Sequence, residues 1–363
     1  MLGININKRI IGVLSICFFM LIFSGCKKPQ PINYEVPTEL RNGFLTLNEG
    51  LFQQNNSTLT WYNIDEQKAY PDFFEKKNGL GLGDTGNDIK VYGNKIYIVV
   101  NNSHILHVLD KKTGKLLNQI TLSNNNSGSS PRHITFSGAN AYICAFDGSV
   151  FKIDTSTISI QQIVLAGTNP EDLVAYNGKL FISNSGGLNY PLMDSTVSVF
   201  DIASMQEITR IKVGKNPSGM LIDDFGSLWV SVQGDASLNE GTLVKINPTS
   251  FDLEATLDID CAEFTSGNGL LYITNYNYST GKSNVMSFNP QTNQVMKQQF
   301  IDGSQFTTIY GIQYIEVSGQ GILLINDAKS YINQGKTMAF DLQGNLLFNY
   351  TSGLNPNSSV YLP

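Results

Sequence analysis

Seven times along this chain an alternating apolar segment ends in Asp or Asn immediately before a turn. The markers are WYN (Asn63), VLD (Asp110), KID (Asp154), VFD (Asp201), KIN (Asn247), SFN (Asn289) and AFD (Asp341). Turn sequences such as DKKTGK and NPQTNQ follow them. Asp and Asn suit that place because their side chains bond the turn backbone. A second signal runs in step, a polar or small pair followed by an apolar residue. It reads NDI (Ile89), RHI (Ile134), EDL (Leu173), SGM (Met220), AEF (Phe264) and YGI (Ile312). Within eight or nine residues the first five of these units place an aromatic: Tyr97, Tyr142, Phe181, Trp229 and Tyr272.

Four short strands per unit of roughly 40–50 residues is the pattern of a β-propeller blade. No amphipathic helix of ordinary length is visible, which argues against a helical repeat array. The 33 glycines and 15% charged residues also fit many short strands joined by tight turns. Seven markers predict seven blades. The first unit has strands near GFLTLNE and TLTWYN but no preceding strand of its own, while SSVYLP (358–363) is left over at the end. The expected fold is therefore all-β, a seven-bladed propeller of four-stranded antiparallel blades. The C-terminal strand should complete the first blade and remove a free sheet edge.

The N-terminus is of another kind. Lys8 and Arg9 precede an apolar stretch from Ile10 to Phe23, short for a membrane span and typical of a signal peptide. LIFSGC follows and resembles a bacterial lipobox, which implies lipidation of Cys26 after removal of residues 1–25. Residues 26–42, with three prolines, read as a tether, and residues 43–363 as the propeller. Removing 1–25 takes away two positive charges and no acidic ones, moving the formal net charge from −6 to −8. An acidic chain without basic clusters argues against nucleic-acid binding. Cys144 and Cys261 would remain as buried thiols, with a disulfide the alternative in an oxidising compartment.

In a propeller the polar pairs lie just before each innermost strand, on the face that also carries the loops between second and third strands. Those loops lengthen to NSGGLNYPLMDS (184–195), QGDASLNEG (233–241), NYNYSTGKSN (275–284) and NDAKSYINQGK (326–336). Long polar loops on a rigid scaffold are where binding usually resides. The candidate ligand-binding residues on that face are Asn87, Asp88, Asn102, Arg132, His133, Glu171, Asp172, Tyr190, Gln233, Tyr276, Tyr278 and Tyr331. Tyrosines there can cover a flat ligand while offering hydroxyls.

Catalytic signatures are thin. His104 and His107 flank a third strand and read as surface residues, and His133 sits beside Arg132 on the candidate face. No nucleophile elbow, Walker loop or dinucleotide fingerprint occurs. Asp88, Glu171, Asp172 and Glu263 should converge on the axis, where a carboxylate pair serves acid–base chemistry, Ca²⁺ or simply solvation of the opening.

The stretches GFLTLNEGLF and LGDTGNDIKVYGNKIYIVVNNSHILHVLDKKTGK, with the NPEDL and KNPSG turns, resemble a known family. It is that of the propeller lipoproteins of Bacteroidetes outer membranes, whose characterised members capture cobalamin at the cell surface. The resemblance implies a non-catalytic, lipid-anchored outer-membrane protein with no cofactor of its own. It would bind cobalamin or a related corrinoid and pass it to a TonB-dependent transporter. A glycan or an envelope protein is the alternative partner, and a propeller hydrolase or lyase the alternative activity. Neutral Asn, Gln and Tyr side chains suit the amide-rich rim of a corrin better than a phosphate or polyanion.

Overall fold

Second strands such as Lys95–Val100, Asn140–Ala145 and Lys179–Asn184 are buried over nearly their whole length, whereas the outer strand Leu116–Thr121 alternates between half-buried and exposed. That contrast follows from blades packed face to face around an axis: a second strand has neighbours on both faces, an outer strand on one. The computed structural model describes residues 35–235, 241–277 and 282–363. Seven four-stranded antiparallel sheets make up Val36–Pro363, each running outward from an innermost strand. Those innermost strands are Gly86–Tyr92, Pro131–Ser137, Pro170–Tyr176, Pro217–Ile222, Glu263–Gly267, Ile309–Val317 and Pro356–Leu362, in blades 2 to 7 and then blade 1.

Ring closure is as the sequence predicts. Pro356–Leu362 pairs antiparallel with Gly43–Asn48, Phe44 opposite Tyr361 and Thr46 opposite Ser359. Apolar clusters fill the spaces between successive blades. Between blades 7 and 1, Tyr62 stacks on Tyr350 at 4.3 Å, and the Thr46 hydroxyl shares hydrogen bonds with Tyr350 and Ser359. The five predicted second-strand aromatics are all fully buried.

All seven turn markers do the same thing. Side-chain oxygens of Asn63, Asp110, Asp154, Asp201, Asn247, Asn289 and Asp341 accept backbone N–H bonds from Glu66, Thr113, Ser156, Ser204, Thr249, Gln291 and Gln343. The Ser156 hydroxyl and the N–H groups of Thr157 and Ser156 stabilise the charged form of Asp154 and pull it down to about 2.

Two features differ from the sequence reading. A short helix, Phe73–Asn78, fills the connection between blades 1 and 2 and buries Phe73 and Phe74. It covers His107, which is fully buried rather than on the surface; its ring lies 4.9 Å from Phe74, and Nε2 bonds the Leu82 carbonyl at 2.8 Å. Burial accordingly lowers the His107 pKa. Packing also begins before Gly43, since Leu40 is buried and its N–H donates to the Lys112 carbonyl at 2.6 Å. Cys144 and Cys261 are free, buried thiols. The signal segment, Cys26 and Tyr278 lie outside the described residues.

Candidate functional site

The polar pairs that begin the innermost strands meet around the axis, where their first duty is architectural. The Asp88 carboxylate accepts the Ile134 N–H of the next blade at 3.0 Å, and Asp172 accepts that of Met220 at 2.7 Å. Asn87 donates to the Arg132 carbonyl at 2.9 Å, and Asn357 donates to the carbonyls of Gly86 and Asn87. Farther round, the Thr265 hydroxyl accepts the Tyr314 N–H, and Gln313 donates to the Asn357 carbonyl. Side chain to backbone, the inner strands are laced to their neighbours. Gly311 belongs to the same logic: a Cβ there would overlap the Asn357 carbonyl, so blades 7 and 1 approach only because the residue has none.

Inside this belt is an axial cavity of about 710 Å³, whose wall includes Asn87, Asp88, Arg132, His133, Glu171 and Asp172. Six of the sequence-selected residues thus converge. A second cavity of about 430 Å³ lies between blades 6 and 7 and is lined by Tyr276 and Tyr331. Glu263 and Tyr310 line both cavities. Asn102, Tyr190 and Gln233 line neither. The Asn102 N–H donates to the Asp84 carbonyl, Gln233 donates to the Cys261 carbonyl at 2.9 Å, and Tyr190 is exposed on its loop.

Charge is distributed unevenly around the axial wall. On blades 2 to 4 the groups are paired. Arg132 binds Glu171 through Nε at 3.0 Å and through Nη2, and also reaches Asn87. Lys90 lies 3.4 Å from Asp88, and His133 lies 3.5 Å from Asp88 and 3.8 Å from Asp172. Burial alone would lower His133, but Asp172 and Asp88 outweigh it and hold the imidazole above its ordinary value. Asp88 is driven the other way: burial raises it, while Lys90, His133 and the Ile134 N–H together bring it far below the carboxylate range. Asp172 stays raised by burial despite His133.

Opposite this paired arc stand Glu49, Glu263 and Tyr310. The Tyr310 hydroxyl donates to Glu49 at 2.6 Å; burial raises Glu49, and burial with the Glu49 charge raises Tyr310. Glu263 is pushed up to about 7, by burial within the ring first and then by Asp172 and Glu171, against His133 and Arg132. Glu49, Glu263 and Tyr310 are absent from the sequence-selected ligand set. Glu263 was legible from the polar pair in AEF; Glu49 and Tyr310 become neighbours only through ring closure, 261 residues apart in the chain. Among the described residues no group of three or more His, Cys, Asp or Glu side chains is placed to hold a metal ion.

Residues 42–269 match the family model described as a domain of unknown function, DUF5074. The chain belongs to the DUF5074 family. No curated protein matches it. Among solved structures, this DUF5074 propeller is similar to a quinoprotein alcohol dehydrogenase-like protein from Bacteroides thetaiotaomicron. That likeness has a TM-score of 0.69 at 16% identity and covers 89% of this chain and 79% of the other. Hydrazine synthase from Kuenenia stuttgartiensis aligns with a TM-score of 0.61 at 15% identity over 73% of this chain and 85% of that one. The computationally designed Ika8 protein aligns at 0.56 and 14% identity, covering 88% and 91%. Likeness at such identities concerns the fold alone.

Proposed function

We propose that this DUF5074 propeller is a non-catalytic binding protein that captures cobalamin or a related corrinoid. In this reading it is a lipoprotein held to the outer membrane through Cys26, exposed at the cell surface, and it delivers its ligand to a TonB-dependent transporter. The observation that carries the proposal is the junction of the two cavities, with Tyr276, Tyr310 and Tyr331 beside an axial well of carboxylates and amides. A corrin offers an apolar ring to aromatic walls and amide N–H donors to carboxylate and carbonyl acceptors. Exposed Phe52, Leu188, Tyr190, Leu192 and Ile332 stand on the loops of the same face, at blades 1, 4 and 7. Apolar residues gathered on one rim suit contact with a partner.

Equilibrium dialysis of the protein lacking residues 1–26 against cyanocobalamin tests the ligand. Retention at one equivalent is expected. A folded protein that retains none contradicts the corrinoid reading.

A further inference from the structure

The two cavities differ in how their charges are met. On blades 2 to 4, Lys90, Arg132 and His133 each have a carboxylate within reach. At the junction with blade 6, Glu263 has its backbone fixed, its N–H donating to the Thr274 hydroxyl at 3.0 Å and its carbonyl accepting from it at 3.2 Å. Its carboxylate is exposed to the cavity. Among the described residues that carboxylate has neither a hydrogen bond nor an ion pair.

The space beside it is walled by tyrosines. Tyr310 and Tyr331 meet edge to face with centroids 5.8 Å apart and planes at 83°, so two sides of the cavity stand nearly at right angles. Tyr276 lines the same space from blade 6, while Ser283 and Thr308 add small hydroxyls. Among the described residues, no Lys, Arg or His belongs to this lining. Aromatic faces are the negative side of the ring quadrupole, and an unmet carboxylate adds charge of the same sign. A neutral planar ligand without N–H or O–H donors would gain from the rings and leave Glu263 unmet. A small dication requires several converging oxygen ligands, and Glu263 is the only carboxylate that the described residues bring to this lining.

We infer that the cavity between blades 6 and 7 binds a compact organic cation, a quaternary or protonated amine held by Tyr276, Tyr310 and Tyr331 over the Glu263 carboxylate. The cavity, about 430 Å³, has room for such a head group and part of what it is attached to. Binding is coupled to the ionisation of Glu263, which faces Asp172 and Glu171 as like charges and His133 and Arg132 as opposite ones, with neutral Tyr310 beside it. A bound cation favours the ionised carboxylate, so affinity rises with pH through neutrality. This site shares Tyr276, Tyr310 and Tyr331 with the corrinoid reading but turns on the Glu263 carboxylate, and it is tested with a different probe.

The test is calorimetric titration of the folded protein with choline chloride, with sodium chloride as the ionic control and methyl glucoside as a neutral polyol. Saturable choline binding is expected, tighter at pH 8 than at pH 6. Glu263→Gln, which keeps the side-chain shape, and Tyr331→Ala should each weaken it by about tenfold or more. Circular dichroism confirms that each variant is folded. Choline binding unchanged by both variants would overturn the inference. So would silence toward choline, with or without binding of methyl glucoside.

Discussion

Asp88 and His133 show why the axial residues resist a purely functional or purely structural reading. Each lines the cavity, yet Asp88 also holds the next blade's backbone and pairs with Lys90 and His133. Asp88→Ala should cost about 3 kcal/mol, because it strands a buried N–H, removes the ion-pair partner of Lys90 and leaves His133 with Asp172 alone. Urea unfolding measures that loss. The pH dependence has a definite sign. Asp88, whose folded value is depressed, contributes stability above its ordinary value near pH 4, lost as pH falls through the folded one. His133, Asp172 and Glu263 are raised in the folded protein, so their contributions are full below their ordinary values and are lost as pH rises through the folded ones. Unfolding free energy should therefore decline between about pH 5 and pH 8. Glu263→Gln should flatten the part near pH 7, since that carboxyl titrates at about 7. An unchanged slope in the variant would contradict this assignment.

At the scale of single elements, the blade pattern was readable because each marker answers a local need. A turn leaves backbone N–H groups to satisfy, and Asn63 through Asp341 satisfy them from their own side chains. The closing strand was readable too, because a blade lacking its innermost strand and an orphan strand at the other terminus have one economical solution. Deleting residues 356–363 should abolish cooperative unfolding, exposing the sheet edge at Gly43–Asn48 and the Tyr62–Tyr350 stack. What escaped the sequence reading is what depends on neighbours far along the chain. The helix Phe73–Asn78 is too short to show periodicity, so the burial of His107 beneath it was hidden. Phe74→Ala should cost about 3–5 kcal/mol as a core deletion, and urea unfolding would register it. A near-neutral result would mean that this helix is peripheral to the fold.

For the molecule as a whole, the sequence located the face better than the site. It placed polar pairs and long loops on one side, and the six pair residues chosen as ligand candidates do share the axial wall. Tyr276, which the sequence reading put in a loop, ends the strand Leu270–Asn277; it and Tyr331, from a loop 55 residues on, line one cavity only because blades 6 and 7 are adjacent. Asn102 and Gln233, chosen by the same loop logic, are occupied instead with Asp84 and with the Cys261 carbonyl, 28 residues away. Loop membership says which face a residue is on, not whether it points toward the axis. The anchoring proposal belongs to this scale as well: Cys26→Ala should move the protein from the membrane fraction to the soluble fraction.

The most direct test of the central claim is calorimetric titration with cyanocobalamin, run in parallel on the wild-type protein and on a folded Tyr276→Ala, Tyr331→Ala double variant. One-to-one binding by the wild type that weakens by at least about tenfold in the variant is the predicted result, because the variant removes two aromatic walls from one mouth. Equal affinity in both would place the ligand elsewhere, and no binding by either would contradict corrinoid capture itself.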